Sequence, residues 1–296
     1  GCNCHNIEKL LDYMMKTPST AREVNDLFFR PGFYLTFNQA LFSLRFDVLW
    51  HLSRAARQIR GRCRDISFGV TEVSEKQAIK FGQMIKDIID FQPQVTAIAY
   101  HSMTPISKAI VSAFCHLGGP FESLQLTSTE DDTQCIDGVG PILKVVSTTA
   151  LKHLTLINVT LEHDLTIIFN VLQIPNPLRE LVLSHGERIS IKHLEQFNSA
   201  LCSRHCKLTK ASITPICTPS VYIVGLQSNI WIQECHPVGN MQNILQRNKK
   251  IERALNKLED PESKAQGQEK LRELLEKEPK PLGEGREYIL DLVRDA

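Results

Sequence analysis

Apolar residues recur in a fixed order along the middle of the chain. The clearest copy covers residues 151–161, with apolar side chains at its first, fourth, sixth and eleventh places. The same order returns at residues 178–183 and 121–126. Apolar side chains at the fourth and sixth places predict a short strand that is buried on one side. We number the places of each copy from its first residue and call this numbering the repeat frame.

Weaker copies extend the series in both directions. They start at residues 63 and 95 upstream, at residue 208 downstream and, with the poorest match, at residue 227. Successive starts are 32, 26, 30, 27, 30 and 19 residues apart, and most of these intervals suit repeats of about 20–29 residues or slightly more. The spacing therefore predicts a repeat protein. The alternative is an ordinary mixed α/β domain in which the leucine spacing is coincidental.

A stretch with helical spacing follows several of the predicted strands. In residues 79–89, 165–172 and 191–201 the apolar side chains fall three and four residues apart, which describes one buried helix face. Breakers such as Pro93 and the Pro175-Asn176-Pro177 sequence end these stretches. One strand and one helix in each repeat predict parallel strands on the inside of an arc, with helices outside.

This alternation resembles the leucine-rich repeat proteins of the ribonuclease-inhibitor-like class, over roughly residues 63–255. The resemblance implies an α/β leucine-rich repeat solenoid, a horseshoe with parallel strands inside and helices outside. The chain departs from that family at the ninth place, where Val159 and Gly186 replace the usual asparagine and Asn158 stands one place early. Because that asparagine normally binds backbone groups at the turn, we expect irregular turns here.

The two ends of the chain do not follow the repeat frame. Residues 1–62, with an apolar stripe and an aromatic-rich stretch, predict a helical N-terminal cap; a separate recognition module is the alternative. Residues 63–256 form the predicted solenoid, which ends in a closing helix around residues 243–250. Residues 257–296 then predict a polar linker (257–268) and a helical tail, which either packs back on the solenoid or docks on a partner.

Composition and charge narrow the classes of function. The chain of 296 residues has 34 Lys and Arg against 33 Asp and Glu, a net charge of +1 that predicts no general affinity for nucleic acid or anionic membrane. No apolar run reaches the roughly 18 residues of a membrane-spanning helix, and the N-terminus does not resemble a signal peptide. Nine cysteines without a paired spacing predict a reduced, cytoplasmic setting.

The third, fifth and seventh places of each strand are expected to share the concave face, because successive residues alternate sides. The side chains there are small, polar and of mixed sign, without a carboxylate pair on adjacent strands or a Cys beside a His, which suits protein recognition better than acid–base chemistry. A slip of one residue would replace the whole set. The candidate partner-binding residues are Asp65, Ser67, His101, Gln125, Thr127, His153, Thr155, Glu180, Ser184, Lys210 and Ser212.

Three local patterns carry alternative chemistry. The Cys135-Ile136-Asp137 sequence resembles the Cys-x-Asp nucleophile of bacterial ubiquitin ligases with leucine-rich repeats, but it lies inside the third repeat instead of in a later helical domain. The cysteines Cys202, Cys206, Cys217 and Cys235 suggest zinc, although structural zinc sites have tighter paired spacing. The basic run at residues 54–64 suggests contact with phosphate or an acidic protein, or simply a solvated face.

We therefore expect a protein–protein interaction scaffold or adaptor that binds a partner protein through its concave face. We expect no catalytic residue, no metal and no cofactor. The alternative is an enzyme or enzyme-recruiting factor, for example one related to the ubiquitin pathway, with its activity in the terminal segments. The irregular repeats also resemble effectors of intracellular bacteria, for which the compartment would be the cytoplasm of the host cell.

Overall fold

Parallel strands and helices make up the described part of the chain, which is α/β. The structure is a computed structural model and describes residues 35–37, 65–70, 96–102, 106, 122–128, 150–158, 162–184, 189–214, 223–236, 241–277 and 279–294. Strands β1–β8 are Leu35–Phe37, Asp65–Val70, Ala97–Ser102, Ser123–Ser128, His153–Ile157, Glu180–Ser184, Lys210–Thr214 and Glu234–His236. The described helices, α1–α6, are Glu162–Leu172, Ile191–Cys202, Ile223–Ser228, Gln242–Leu258, Lys264–Glu276 and Gly283–Arg294. Contacts divide the chain into two compact units, residues 1–161 and 162–296.

In the first unit, strands β1–β5 form a parallel sheet in which each strand pairs with the next one along the chain. The register preserves the repeat frame. The fourth places of successive strands are paired, so that Ile66 lies opposite Ile98, Ile98 opposite Leu124 and Leu124 opposite Leu154. Parallel neighbours need a crossover between them, and the intervals of about 30 residues predicted from the sequence supply the length for one.

Strand β1 lies in the segment for which the sequence predicts a helical cap. Leu35 pairs with Ile66, and Phe37 pairs with Phe68. Leu35 therefore occupies the fourth place of one more strand, and the prediction of an all-helical segment is wrong at Leu35–Phe37. The aromatic residues around this strand are so closely spaced that they match the period of a helix as well as that of a strand. The alternation of the strand was therefore not recognised in the sequence. The rest of residues 1–62 lies outside the described residues, and the predicted domain limits stay predictions.

In the second unit, strands β6–β8 form a parallel sheet in the same register. Leu181 pairs with Ala211, and Ala211 pairs with Cys235, so Cys235 holds the fourth place of β8. The last repeat therefore starts at residue 232 and not at residue 227, which lies inside helix α3. Ile230 and Ile232 precede the strand. Because they are two positions apart, the sequence analysis took them for the alternating apolar residues of the strand itself.

The same pattern of backbone hydrogen bonds occurs at the start of four strands. The N–H groups of the second and third places both donate to the carbonyl of the second place in the preceding repeat, with donor–acceptor distances of 2.7–3.1 Å. Because the same atoms bond at each step, the repeat frame describes the backbone as well as the side chains. The pairs of donors and their acceptors are Glu122 and Ser123 to Thr96, Lys152 and His153 to Glu122, Thr209 and Lys210 to Arg179, and Gln233 and Glu234 to Thr209.

The core consists of the fourth and sixth places of the strands and one face of each helix. Leu154 and Leu156 in the first unit are fully buried, as is Leu181 in the second. In the second unit Phe169 of α1 and Phe197 of α2 pack with their ring centroids 5.2 Å apart. Each such side chain contributes about 1.5–3 kcal/mol to folding through burial.

The turn after β5 carries the displaced asparagine. Asn158 has a φ of 53°, and its side-chain amide donates to the carbonyl of Ser128 over 3.0 Å. Asparagine adopts this left-handed conformation more readily than most residues. Asn158 thus links two successive turns, one place earlier than the family pattern implies, while Val159 and Gly186 lie outside the described residues.

The C-terminal helices pack against the end of the second unit. Leu271, Leu274 and Leu275 of α5 and Ile289 of α6 share one buried cluster with Ile251 of α4. Of the two alternatives for the tail, packing back on the chain is the one observed. The predicted linker is also shorter than expected, because α4 continues to Leu258 and α5 begins at Lys264.

A glycine permits the approach of α6. A Cβ atom on Gly285 would overlap the carbonyl oxygen of Ser228, at the end of α3. The first turn of α6 also accepts a backbone hydrogen bond, from the Arg204 N–H to the Glu284 carboxylate, over 2.5 Å. The tail is therefore fitted to the rest of the second unit by close backbone contact.

Arg247 on α4 is a buried cation. Only 4% of it is exposed, and its guanidinium donates to the carbonyls of Leu226, Gln227, Asn229 and Lys280 over 3.0–3.4 Å. Asn248 accepts from Arg247 over 2.7 Å and donates to the carbonyl of Asn229 over 2.9 Å. Burial lowers the pKa of Arg247 to about 10, so the side chain is still charged at neutral pH.

Among the described residues, no helix combines the length and the apolar character needed to cross a membrane.

Candidate protein-interaction surface

The third, fifth and seventh places of the strands lie on their less buried side, which we call the strand face. In β3–β7 half-buried residues at these places alternate with buried residues at the fourth and sixth places. The structure confirms this alternation and so confirms the register predicted from the sequence. It places on the strand face the predicted residues His101, Gln125, Thr127, His153, Thr155, Glu180, Ser184, Lys210 and Ser212.

The remaining two predicted residues are on β2. Asp65 occupies the third place, opposite Ala97, and Ser67 occupies the fifth, opposite Ala99. Their side chains lie outside what the structure describes. That any of the predicted residues binds a partner stays a prediction.

The strand face of the first unit has three rows of side chains that run across the strands. The third places align Ser123 with His153, and the fifth places align Gln125 with Thr155. The seventh places align His101 with Thr127. Within β4 the Gln125 amide donates to the Thr127 hydroxyl over 3.4 Å. These hydroxyl, amide and imidazole groups donate and accept hydrogen bonds, but they form no cluster of acids.

The strand face of the second unit carries more charge. Its third places are Glu180, Lys210 and Glu234, paired in that order across β6, β7 and β8. The Nζ of Lys210 lies 3.9 Å from the Oε2 of Glu234, with 38% and 58% of the two side chains exposed. An ion pair so open to solvent contributes at most about 1 kcal/mol to stability.

Two residues of this face escaped the sequence analysis. Glu234 and His236 are both exposed and occupy the third and fifth places of β8, the second of them opposite Ser212. The sequence analysis missed them because it placed the last strand too early. The signal that identifies the correct strand is the pair Ile232 and Cys235, at the first and fourth places of the corrected repeat.

Two of the described cysteines, Cys206 and Cys235, are buried. Burial raises the pKa of Cys206 to about 12 and that of Cys235 to about 11. Both thiols are therefore protonated near neutral pH, whereas thiolate is the form that attacks electrophiles and binds zinc. No group of three metal-ligating side chains occurs among the described residues. Cys135, Asp137, Cys217 and the basic run at residues 54–64 lie outside them.

A small notch lies at the surface of the second unit. Its lining includes Arg204, Glu284 and Trp231. Lys207 extends over the Trp231 ring, with Nζ 5.6 Å from the ring centroid, and the centroid of the Tyr288 ring lies 5.7 Å from that of Trp231. The cavity volume is about 20 Å³, which is room for a single water molecule. Small-molecule sites are usually larger by an order of magnitude.

Comparison with known proteins gives no family. No family model matches the chain, and no curated protein matches it. Among solved structures, dihydrodipicolinate synthase from Bacillus clausii aligns with a TM-score of 0.27 and 13% identity, over 92% of this chain and 89% of that one. The same enzyme from Oceanobacillus iheyensis gives 0.24 and 13%, over 86% of this chain and 80% of that one. At these TM-scores the likeness supports no conclusion about fold or activity.

Proposed function

We propose that this chain is a leucine-rich repeat solenoid that acts as a cytoplasmic scaffold or adaptor, binding one partner protein through its strand face. The observation that carries the proposal is the alternation of half-buried and buried residues in β3–β7. With strands in register, equivalent side chains line up in rows. Rows of small polar groups on a sheet offer a surface for another protein.

The support for protein recognition is physical. Each side chain of the strand face is fixed by a strand whose backbone is bonded to its neighbour, so binding orders few groups and loses little conformational entropy. The hydroxyl, amide and charged groups of this face offer hydrogen bonds over a wide area, as protein interfaces need.

The test compares the full chain with a variant in which two charges of the strand face are exchanged, Glu180→Lys with Lys210→Glu. Each protein is immobilised, exposed to cytosolic lysate, and the retained proteins are identified by mass spectrometry. We expect the exchange to lower retention of the wild-type partner about tenfold, because it places like charges opposite the partner's groups. The melting temperature should fall only slightly, since the exchange loses the solvent-exposed ion pair of Lys210 with Glu234, which contributes at most about 1 kcal/mol, and keeps the net charge.

A matched control exchanges an ion pair away from the strand face. Lys270 and Glu273 on α5 lie 2.6 Å apart and are similarly exposed, so Lys270→Glu with Glu273→Lys repeats the chemistry elsewhere. This control should retain the partner as the wild type does. Equal retention by the strand-face variant would exclude that face as the binding surface.

A further inference from the structure

Strand β8 forms the last edge of the sheet in the second unit. It pairs with β7, and among the described residues no strand pairs with its other side. Glu234 and His236 on β8 are exposed, whereas the residues at the same places of β6 and β7 are half-buried. Nothing in the described part of the chain therefore covers this side of β8, which we call the open edge.

The backbone of β8 offers hydrogen-bonding groups along the open edge. The Glu234 N–H donates to the Thr209 carbonyl over 3.1 Å, on the side of β7. Backbone groups of successive strand residues point alternately to the two sides of the strand, so the N–H and the carbonyl of Cys235 point to the open edge. At the same place of β7, the groups of Ala211 point to β8. An edge without such a neighbour is a template for another strand.

The open edge is complementary to itself. Cys235 presents one donor and one acceptor to the same side, and two opposite residues of an antiparallel pair exchange both bonds at such a place. Two copies of β8 related by a two-fold axis through this pair therefore satisfy each other. With the axis perpendicular to the sheet, the two strand faces stay on one side and the helices on the other. Pairing of this kind closes after two copies, as in most homodimers.

The side chains of β8 select the register of this pairing. With Cys235 opposite Cys235, Glu234 of each copy lies opposite His236 of the other, and both side chains are exposed on the strand face. A carboxylate accepts hydrogen bonds from an imidazole N–H. Moving the axis by one residue in either direction would place Glu234 opposite Glu234 or His236 opposite His236, and like charges directly opposite each other destabilise a sheet. Only the register centred on Cys235 brings carboxylate and imidazole together, and it does so twice.

The short length of β8 limits the strength of the contact. Edge strands are often kept short to limit pairing, and β8 has three residues. Lys210 lies 3.9 Å from Glu234, on the side of β7, and a carboxylate has about four acceptor sites. Glu234 can therefore accept from the second copy without losing Lys210. We expect a weak and reversible contact.

We propose that two copies of the chain form a symmetric dimer in which their β8 strands pair antiparallel, with Cys235 opposite Cys235 and Glu234 opposite His236 of the other copy. The sheet of the second unit then continues from one copy into the other, in the order β6, β7, β8, β8, β7, β6. The strand faces of the two second units become one surface. This inference goes beyond the proposed function and holds whether or not the strand face binds a partner.

The first experiment follows self-association of the full chain by sedimentation velocity over a wide range of protein concentration. We expect a reversible equilibrium of monomer and dimer, without larger species. The His236→Glu variant places two carboxylates opposite each other at both symmetric contacts, so the dissociation constant of its dimer should rise about tenfold. The matched control Gln266→Glu adds the same charge at an exposed position of α5 and should leave the dissociation constant unchanged.

The second experiment mixes two variants whose open edges repel their own copies. His236→Glu makes the edge acidic, and Glu234→Lys with His236→Lys makes it basic, so each variant alone should be largely monomeric where the wild type is dimeric. An equimolar mixture should form dimers at least as well as the wild type, which an unfolded variant could not do. The proposal is overturned by a wild type that stays monomeric or forms larger species, by a dimer that His236→Glu leaves unchanged, or by a mixture that does not associate.

Discussion

The strands and the C-terminal end of this chain are held together by different chemistry. In the strands the buried fourth and sixth places are apolar, and Leu154 and Leu156 have no exposed surface. At the C-terminal end the buried set includes a cation and an amide, Arg247 and Asn248, which bond to carbonyl oxygens. Apolar side chains exclude water from the buried side of the strands, whereas at the C-terminal end the buried polar side chains are stabilised by hydrogen bonds to carbonyl oxygens.

The difference follows from where the repetition stops. Within the repeats each strand's first N–H groups find the carbonyl of the preceding strand, so copying one repeat satisfies the backbone of the next. Helix α3 ends against α6, where Ser228 meets Gly285, instead of against another repeat. The carbonyls of Leu226 and Gln227 lie in its last turn, where a helix leaves carbonyls without partners of its own. The Arg247 guanidinium donates to both and the Leu282 N–H donates to that of Gln227, so groups of the C-terminal end take the place of a further repeat.

The largest expected effect tests that replacement. Arg247→Leu removes a donor from each of four carbonyls and from the Asn248 Oδ1, although the Gln227 and Asn229 carbonyls each keep a second donor, the Leu282 N–H and the Asn248 amide. Each such loss costs about 1–3 kcal/mol. Because the carbonyls share donors and relax in part, we expect the free energy of unfolding to fall by about 4–6 kcal/mol. Urea denaturation followed by circular dichroism measures the change.

The control for this variant is an arginine of the same helix. Arg253 on α4 is exposed, and Arg253→Leu should change the free energy of unfolding by no more than about 0.5 kcal/mol. If Arg247→Leu is equally mild, the carbonyls are satisfied in some other way. The proposed division between the repeats and the C-terminal end would then be wrong.

The second prediction concerns the apolar side of the comparison. Leu154→Ala empties a fully buried fourth place and should lower the free energy of unfolding by about 2–5 kcal/mol. The effect is somewhat smaller than for Arg247→Leu because no polar group is left without a partner. Thermal and urea denaturation of this variant and of Thr155→Ala, its half-buried neighbour on the strand face, provide the measurement. A near-neutral Leu154→Ala would mean that the repeat frame does not describe the core.

The strands, whose buried fourth and sixth places are apolar, could be predicted from the sequence. Each of the predicted starts at residues 63, 95, 121, 151, 178 and 208 is followed two places later by a strand. Burial with a period of two leaves a direct trace in the sequence, since every fourth and sixth place must be apolar. Once the buried fourth and sixth places are known, the third, fifth and seventh places must lie on the other side of the strand, so the strand-face residues could be predicted as well.

The rest left no periodic trace. Strand β1 has only three residues and lies among aromatics, and β8 follows a repeat of 24 residues instead of about 30. The closing helix was predicted, but nothing in its polar sequence distinguishes buried Arg247 from exposed Arg253. Such a network depends on which carbonyls a fold leaves without donors, and that is known only once the fold is built.

The smallest expected effect concerns Asn158, where a polar side chain works inside the repeats. Its amide bond to the Ser128 carbonyl is 3.0 Å long, and its φ of 53° strains most residues. Asn158→Gly removes the bond but tolerates the conformation, so we expect a loss of about 1 kcal/mol. Asn158→Ala adds the left-handed strain and should lose about 2 kcal/mol. Comparison of the free energies of unfolding of the two variants, measured by urea denaturation, separates the contribution of the hydrogen bond from that of the left-handed conformation.

If both variants lose the same amount, the left-handed turn imposes no strain and only the hydrogen bond matters. If Asn158→Gly loses nothing, the link between the two turns adds no stability, and the first unit is held by its apolar places alone. The expected result lies between these limits. It would show that side chains also support the backbone within the repeats, at a smaller scale than Arg247, because each repeat already has its neighbour's backbone as a partner.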